Sequence, residues 1–359
     1  MMKVGIVGLP NAGKSTLFNA LTQGGAQTGD YPFTTIDPNI AVVTVPDQRL
    51  EKVAATIASS KVVLETIEFH DIAGLVPGAA EGEGLGNRFL GAIRETDAIC
   101  HVVRAHQSSE VPHPEGRIDP VNDLELIETE LCAADLETAA SRLDRVTKQA
   151  RALDPEAIAE KAWLEDVVAA LSAGRPVRSV PLPDAAGDAD RRLQALTSKP
   201  MLYVANIDEG EVAVPSEIAV HAAAANAAVV AISARIEMEL AELDEAEAAE
   251  LRGELDLAES GLERLIGAAW ELLDLISFFT AGEAKEAMAR SLKRGTTAHG
   301  AAAKIHTDIA DGFVKAEVIG WEALVEHGGY SAARDAGKLR IEGRDYLMAD
   351  GDVITIKHT

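Results

Sequence analysis

Cysteines, long apolar runs and a signal-peptide pattern are the features that this sequence lacks or nearly lacks. The chain of 359 residues has two cysteines, Cys100 and Cys132, in stretches that resemble a strand and a helix. Neither lies in a metal-ligand spacing, so we expect two reduced thiols. No apolar run approaches the roughly 20 residues that a membrane span needs, and the N-terminus leads directly into a strand-like segment. These absences predict a soluble, cytoplasmic protein with no membrane partner.

Positive charge is also scarce. The formal net charge is −25, and residues 275–359 carry 11 Lys and Arg against 12 Asp and Glu, so nearly all of the negative excess lies before them. Such a charge opposes general electrostatic attraction to nucleic acid. We therefore expect no sequence-specific DNA binding, and we expect any RNA contact to involve a local patch or the C-terminal part. We also expect a monomer.

The segment 8–15, GLPNAGKS, matches the phosphate-loop pattern G-x-x-x-x-G-K-[ST]. A strand-like run precedes it and a helix-like run follows, which is the context that the pattern requires. The glycines let backbone N–H groups surround a phosphate, and the helix N-terminus adds partial positive charge. Lys14 stabilises the β- and γ-phosphates, and the Ser15 hydroxyl is placed to bind Mg²⁺. Asn11 either helps to bind a monovalent cation such as K⁺ or only shapes the loop. The nucleotide-binding residues expected here are Asn11, Ala12, Gly13, Lys14, Ser15 and Thr16.

A second motif follows further along the chain. A strand-like run ends in Asp71, three residues before Gly74. P-loop hydrolases use this D-x-x-G arrangement for a carboxylate that supports Mg²⁺ and for a backbone N–H that binds the γ-phosphate. Residues 75–87, rich in glycine, come next and are expected to rearrange when the γ-phosphate arrives or leaves. The sequence therefore predicts Mg²⁺ as a cofactor.

Strand-like runs at 98–104, 200–206 and 227–232 predict an α/β domain with a mostly parallel sheet. Between them, residues 122–150 and 155–173 show apolar spacings of three and four, and Asp-Pro opens the second segment. This pattern indicates an antiparallel helical hairpin that is inserted into the nucleotide-binding domain.

The sequence pattern changes twice in the last third of the chain. Residues 237–263 carry 11 acids against one base and predict a solvated acidic helix. From residue 276 onward, short β-like segments alternate with a helical stretch expected at 284–290, which is typical of a small α+β domain. The predicted division is a nucleotide-binding domain at 1–121 and 199–275, a helical hairpin at 122–198, and a C-terminal domain at 276–359.

The choice of base depends on residues 206–209, NIDE, which stand where guanine-specific switches carry N-K-x-D. Ile207 replaces the Lys and Glu209 replaces the Asp that takes two donors from guanine, so the paired readout is weakened. Asn206 either bonds a base edge or only ends the strand, and Ser233 and Ala234 could cover the base from the other side. Adenine is the favoured base, and guanine read by Glu209 is the alternative.

The group that activates water has to be sought elsewhere, since Leu75 occupies the place of a water-orienting Gln. Leucine cannot position water by hydrogen bonding, so catalysis needs another residue, a partner or a cation. His113, in a loop, is one candidate for a polar group that reaches over the γ-phosphate. His106 lies close to it in the chain, and His70, beside Asp71, is better explained as structural.

With these residues assembled, the chain closely resembles the YchF subfamily of Obg-like P-loop ATPases, which are translation-factor-class proteins. The resemblance rests on segments 8–15, 31–39, 71–75 and 206–209, in this order, and on the C-terminal domain. It implies a G-type P-loop domain that prefers ATP to GTP. It also implies a coiled-coil insertion and a C-terminal ubiquitin-like TGS domain, and an association with the ribosome and with stress responses.

The resemblance also assigns roles to single residues. It implies that His113 is catalytic, that Thr35 joins Ser15 and Asp71 at Mg²⁺, and that the backbone of Ile207 contacts adenine. The overall prediction is a slow, Mg²⁺-dependent ATPase that acts as a conformational switch, with ATP and a ribosome as partners. Two alternatives remain open, a GTPase switch and a nucleotide-gated binding protein with negligible hydrolysis.

Overall fold

The computed structural model describes residues 2–26, 38–72, 85–108, 112–113, 116–257 and 259–359. The chain forms two compact units. The first consists of Met1–Val43 with Glu68–Leu272, and the second of Thr44–Ile67 with Leu273–Thr359. Among the described residues, no helix is both long and apolar enough to cross a bilayer.

Strands and helices alternate along most of the chain. The strands are β1 (Met2–Val7), β2 (Ile40–Thr44), β3 (Lys61–Val63), β4 (Thr66–Asp71), β5 (Ala98–Arg104), β6 (Met201–Asn206), β7 (Ala228–Ile232), β8 (Leu275–Thr280), β9 (Glu286–Lys293), β10 (Phe313–Gly320), β11 (Arg340–Glu342) and β12 (Asp352–His358). The helices are α1 (Lys14–Ala26), α2 (Gln48–Thr56), α3 (Leu85–Arg94), α4 (Pro120–Ala150), α5 (Pro155–Ser172), α6 (Ala189–Leu193), α7 (Ser216–Ala224), α8 (Ala234–Glu242), α9 (Glu245–Glu254), α10 (Gly261–Leu272), α11 (Ala298–Ile305), α12 (Thr307–Asp311), α13 (Trp321–Glu326) and α14 (Tyr330–Asp335).

The first unit is built on a six-stranded sheet with the order β2-β4-β1-β5-β6-β7. Strands β1, β5, β6 and β7 pair in parallel. All seven residues of β5 and all six of β6 are buried, as expected for central strands covered on both faces. The carboxyl ends of these strands meet at one edge, which is where open α/β sheets bind ligands. The predicted α/β architecture is confirmed.

The inserted helices form the expected hairpin. Asp119 accepts a hydrogen bond from the N–H of Asn122 before α4, and Asp154 accepts one from Glu156 before α5, with proline at the first helical position each time. These caps satisfy N–H groups that a helix start leaves open. The first half of α4 packs on the sheet of the first unit through Leu124, Ile127 and Leu131. Its second half packs against α5, so one helix serves both cores.

The second unit contains residues that the sequence patterns assign to the nucleotide-binding domain. Its mixed sheet has the order β11-β10-β12-β8-β9-β3, and β3 pairs in parallel with β9. Helix α2 contributes Leu50 and Val53 to the same core as Phe279 and Ala287. Residues 44–67 therefore cluster with the C-terminal part. Strand patterns show that a segment forms a strand but not which sheet it joins, so the sequence did not reveal this placement.

Two predicted helices are wrong. The acidic segment 237–263 is divided among α8, α9 and α10, because Asp244 begins a new helix through a capping box with Glu247. The segment 284–290 falls largely within strand β9, which pairs antiparallel with β8. In β9, buried residues alternate with more exposed ones until the strand end, so tertiary pairing overrides the helical tendency of its alanines.

We predict that His101, at the centre of β5, makes the fold acid-sensitive. The residue is 1% exposed, and its ring packs edge-on against Tyr203 with the ring centroids 5.8 Å apart. Burial lowers its pKa to about 3, and the charges of His221 and Lys14 add to the shift. Below pH 6.5 the unfolded chain therefore binds a proton that the folded chain does not. The stability advantage of the neutral ring is complete above pH 6.5 and declines by up to about 1.4 kcal/mol per pH unit down to about pH 3.

The test is urea unfolding of the wild type and of His101→Phe between pH 7 and pH 4. The variant keeps the ring volume and should lose less stability on acidification than the wild type, whereas the exposed-site control His358→Gln should follow the wild type. Parallel pH profiles for the wild type and His101→Phe would contradict the assignment.

Candidate nucleotide-binding site

Two glycines let the phosphate loop pass close to other backbone and side-chain atoms. The loop joins the end of β1 to Lys14, the first residue of α1. Gly8 has φ of 152°, and a Cβ there would lie 2.3 Å from the carbonyl oxygen of Val102. Gly13 has φ of 101°, and its Cβ would lie 2.2 Å from Nδ2 of Asn206. Both positions exclude any other residue, so the loop depends on the glycines of the sequence pattern.

The side chain of Lys14, at the end of the loop, is buried against the loop backbone. Its Nζ donates to the carbonyl oxygen of Leu9 at 2.8 Å, and the residue is 8% exposed. Burial lowers the pKa of Lys14, and the charge of Asp71 opposes this shift. Burial likewise raises the pKa of Asp71, and Lys14 opposes that shift. A phosphate group beside Lys14 would favour its charged form in the same way, so the site gains from an anion.

The groups expected at Mg²⁺ are only partly described. Ser15 lies on the first turn of α1 and lines the cavity, and Asp71 ends β4. Thr35 and Gly74 lie outside the described residues. A hydroxyl and a carboxylate are hard oxygen donors of the kind that Mg²⁺ prefers, so the residues present fit this ion. Within the described ranges, no group of three His, Cys, Asp or Glu residues is placed to hold a metal alone. Besides Thr35, phosphate oxygens and water would complete the ligand set.

Asn206 joins the phosphate loop to the loop after β7. Its Nδ2 donates to the carbonyl oxygen of Ala12 at 3.0 Å, and its Oδ1 accepts from the N–H of Ala234 at 3.0 Å. Its own carbonyl oxygen accepts from the N–H groups of Ala105 and His106, both at 2.9 Å. The residue is buried. Of the two roles considered for Asn206, the contacts favour a structural one, since its amide oxygen is already used by the protein.

A cavity of about 560 Å³ opens at the carboxyl edge of the sheet. Its lining residues from the predicted set are Asn11, Gly13, Lys14, Ser15, Thr16, Asn206, Ile207, Ser233 and Ala234. Ala12 is buried behind them. The lining also contains His106, Asp208 and Glu209, which lie in segments that the sequence analysis considered, and it adds Ser108 and Arg235, which no motif indicated. Each lies just after β5, β6 or β7, so the rule that ligands bind beyond strand carboxyl ends was the signal available in the sequence.

The far end of the cavity is polar and largely engaged by protein contacts. Glu209 accepts from Arg235, with Nε of the arginine 3.0 Å from Oε1 of the glutamate. Asp208 accepts from the N–H of Gln107 at 2.9 Å. The N–H of Ile207 donates to the carbonyl oxygen of Ile232 at 3.0 Å, so that N–H is not available to a base.

His113 is not among the residues that line the cavity. Its Nε2 lies 2.8 Å from Oδ2 of Asp123, near the start of α4, and both side chains are about 5% exposed. Burial raises the pKa of Asp123, and the hydrogen bond from His113 opposes the shift. The segment nevertheless touches the phosphate loop, because Nδ2 of Asn11 donates to the carbonyl oxygen of Pro112 at 3.0 Å. His106, by contrast, lines the cavity, and burial lowers its pKa.

His70, the third histidine considered, has a structural setting. Its Nε2 lies 3.1 Å from Oε2 of Glu68 on the same strand. This pairing agrees with the structural interpretation given by the sequence.

Comparisons with known proteins agree with this geometry. The family model described as "50S ribosome-binding GTPase" matches residues 3–132, and a YchF-GTPase C-terminal model, described as a protein of unknown function, matches residues 275–359. A protein of Bacillus subtilis named "Ribosome-binding ATPase YchF" is 47% identical over 359 residues, covering 98% of both chains. The chain belongs to the YchF family. A YchF protein of Escherichia coli O157:H7 with the same name is 45% identical and also covers 98% of both chains.

Solved structures support the fold. The structure of the Schizosaccharomyces pombe YchF GTPase matches with a TM-score of 0.88 at 33% identity, covering 99% of this chain and 97% of that one. A GTP-binding protein from Pyrococcus horikoshii matches over the full length of both chains with a TM-score of 0.64 at 22% identity. The second likeness concerns the fold alone. The P-loop G-domain fold predicted for the first unit is confirmed, and a YchF C-terminal domain follows it.

We predict that Asn206→Ala destabilises the fold of this YchF protein. The change removes the two side-chain hydrogen bonds and leaves the carbonyl of Ala12 and the N–H of Ala234 without their partner. Each of the two buried groups left unpaired costs about 1–3 kcal/mol, so the free energy of unfolding should fall by roughly 2–6 kcal/mol. Urea unfolding measures the change. The matched control is Asn19→Ala on an exposed position of α1, which should change stability by less than about 0.5 kcal/mol. Equal effects of the two substitutions would refute the bridging role.

Proposed function

We propose that this protein is an Mg²⁺-dependent ATPase that acts as a nucleotide-controlled switch at the ribosome. The observation that carries the proposal is the cavity at the strand ends, where the phosphate loop with buried Lys14 meets a base-side wall that lacks the guanine-reading pair. Relatives at 45–47% identity bear the name "Ribosome-binding ATPase YchF". The names of these relatives support ATP as the nucleotide and the ribosome as the partner. The residues that line the cavity support the binding of a nucleotide.

The proposed preference for ATP follows from the residues at the positions that read guanine in related switches, Ile207 and Glu209. Ile207 is 3% exposed and offers no ammonium to stack along a guanine ring. The carboxylate of Glu209, which would have to accept two guanine donors, already accepts from Arg235. Guanine would have to share this carboxylate with Arg235, whereas adenine makes no such demand on Glu209. The backbone carbonyl of Ile207 and the hydroxyl of Ser233 are the groups that we assign to the adenine ring.

The phosphates and the metal use the other end of the cavity. Lys14 and the N–H groups at the start of α1 would hold the β- and γ-phosphates. Ser15 and Thr35 would bind Mg²⁺ directly, Asp71 would support it, and the N–H of Gly74 would reach the γ-phosphate. Mg²⁺ neutralises charge that develops on the transferring group when it is bound. The side-chain oxygen of Asn11 is the atom that we assign to K⁺, if a monovalent cation assists.

Hydrolysis needs a group that positions water. His113 is our candidate, and it reaches the phosphates only after its hydrogen bond to Asp123 is exchanged for one to water. Asn11 ties the neighbouring carbonyl of Pro112 to the phosphate loop, so movement of this segment is coupled to the loop that holds the nucleotide. A slow turnover agrees with this requirement.

Several wider assignments belong to the same proposal. We propose a cytoplasmic monomer, a hairpin with coiled-coil character, and a TGS-like C-terminal domain beginning at residue 276. The nucleotide-binding domain would consist of residues 1–121 and 199–275 without the segment 44–67, which clusters with the C-terminal part.

A GTPase is the second candidate, and two observations favour it. Asn206, the first residue of the guanine-reading motif, is retained, and the similar fission-yeast protein is named a GTPase. Hydrolysis of both nucleotides, measured side by side, separates the two proposals.

Hydrolysis of ATP by the purified protein tests the proposal. Lys14→Ala should weaken ATP binding by roughly 2–3 kcal/mol, because a buried charged hydrogen-bond donor to phosphate is lost, and it should abolish turnover. Lys338→Ala, at an exposed position of the second unit, is the control and should leave both unchanged. Equal ATP turnover by Lys14→Ala and by the control would overturn the proposed site.

His113→Ala should lower the turnover number while ATP affinity stays nearly unchanged, because the side chain lies outside the cavity in the structure. Equilibrium titration with ATP and steady-state hydrolysis give the two quantities separately. Unchanged turnover would remove His113 from the mechanism and turn attention to His106.

The double variant Ile207→Lys/Glu209→Asp restores the guanine-reading pattern. We expect the ratio of GTP to ATP affinity to rise at least tenfold, which corresponds to about 1.4 kcal/mol. Glu239→Asp is the matched control, because Glu239 also pairs with Arg235 but does not line the cavity. If the ratio stays constant in the double variant, base choice is made elsewhere.

A further inference from the structure

The charges of α4 are separated along its length. Residues 120–141 carry six acidic residues and no basic one, whereas residues 142–151 carry four basic residues and one acidic one. The helix has 31 residues, and its basic end leads into the turn of the hairpin. In a chain with a net charge of −25, this end is a local exception.

Three of the four basic residues have no ion-pair partner within the described chain. Arg142 pairs with Glu160 at 2.7 Å. Arg145, Lys148 and Arg151 are exposed, and the Nε of Arg145 donates only to the carbonyl of Ser141 at 3.3 Å. Residues spaced by three form one ridge on a helix surface. The ridge therefore presents three cations to solvent.

The nearest acids do not neutralise the ridge. Asp154 caps α5 by accepting from the N–H of Glu156, and Glu156 pairs with Arg192 at 2.8 Å. Asp144 and Asp154 remain as two negative charges near three positive ones, and neither forms an ion pair with them within the described residues. The helix macrodipole favours cations in the last turn only. It accounts for Lys148, but Arg145 lies before that turn.

The turn also exposes an apolar side chain in a strained conformation. Leu153 is 80% exposed and has φ of 60°, the left-handed region that favours glycine. Ile158, on the first turn of α5, is 46% exposed. A strained and exposed leucine lowers stability without a benefit inside the fold. Backbone strain of this kind clusters at functional sites, and Leu153 is the most exposed large apolar residue in the described part of the chain.

We propose that this hairpin tip, defined by Arg145, Lys148, Arg151 and Leu153, binds the sugar-phosphate backbone of ribosomal RNA. The inference rests on the ribosome association proposed above and deepens it. The first 274 residues carry nearly all of the negative excess and repel a polyanion overall, so RNA contact within them is favoured only where cations are exposed and unpaired. A second basic stretch, residues 285–294 in the second unit, is partly engaged, since Arg294 pairs with Asp274 at 3.0 Å.

The experiment compares two double variants of the full-length protein. Arg145→Gln/Arg151→Gln removes two cations from the hairpin tip. Arg175→Gln/Arg191→Gln removes two exposed arginines from elsewhere in the insertion and changes the net charge equally. Affinity for purified bacterial ribosomes is measured by sedimentation at several KCl concentrations, with ATP hydrolysis in the absence of ribosomes as a check on the enzyme.

We expect the tip variant to bind ribosomes at least tenfold more weakly and the control variant to bind within twofold of the wild type. Each lost phosphate contact should reduce the slope of log affinity against log salt by about 1. Ribosome-free hydrolysis should be the same in all three proteins, because no tip residue lines the nucleotide cavity.

Leu153→Gly separates binding from folding. Glycine relieves the strained φ, so the thermal midpoint should stay constant or rise while ribosome affinity falls. A loss of affinity in this variant cannot be ascribed to unfolding.

The outcomes distinguish the inference from the function on which it rests. If the wild type binds ribosomes and the tip variants bind equally well, the inference is overturned and the ribosome association stands. If the wild type does not bind ribosomes with either ATP or ADP, the ribosome association itself fails. If the tip variants bind weakly but the salt slope is unchanged and protein-free ribosomal RNA does not bind the wild type, the tip contacts a ribosomal protein and the RNA proposal is wrong.

Discussion

The side-chain amide of Asn206 is the contact on which the site depends. It holds the carbonyl of Ala12 in the phosphate loop and the N–H of Ala234 after β7, and it lies so close to Gly13 that no side chain fits there. Three segments far apart in sequence are thereby fixed at one edge of the sheet. A buried amide is costly unless both its ends are satisfied, so the bridge also selects this arrangement of loops over others. The cavity for a nucleotide is the space that the bridge leaves open.

Electrostatics favours an anion in the cavity and restricts where the rest of the protein can bind RNA. Lys14 is a buried cation that an anion stabilises, and the base end of the cavity is already engaged by the pair of Glu209 with Arg235. Outside the cavity, a net charge of −25 opposes RNA everywhere except where cations are exposed and unpaired. The phosphate loop and the hairpin tip thus have one property in common, since each offers local positive charge to phosphate groups within a strongly acidic chain. One site suits a nucleotide, and the other suits a polymer of phosphates.

Local patterns predicted the parts that local interactions determine. The phosphate loop, the buried strands and the hairpin with its caps at Asp119 and Asp154 follow from short-range spacing and capping chemistry, and the structure contains them. Long-range pairing escaped prediction: β3 joins the second sheet, and β9 is a strand although its alanines favour a helix. The site shows the same limit. Sequence motifs predicted the residues at the phosphate end of the cavity. The pairing of His113 with Asp123, and the presence of His106 and Arg235 in the lining, depend instead on how loops distant in sequence pack together.

The central claim is that this cavity binds ATP in preference to GTP, and equilibrium competition between the two nucleotides tests it most directly. The unmodified protein is titrated with each nucleotide in the presence of Mg²⁺ against one fluorescent reporter nucleotide. The account predicts that ATP binds about tenfold more tightly or better, which is a difference of at least roughly 1.4 kcal/mol. A GTP preference of the same size would mean that Glu209 leaves Arg235 to read guanine, and it would contradict the account.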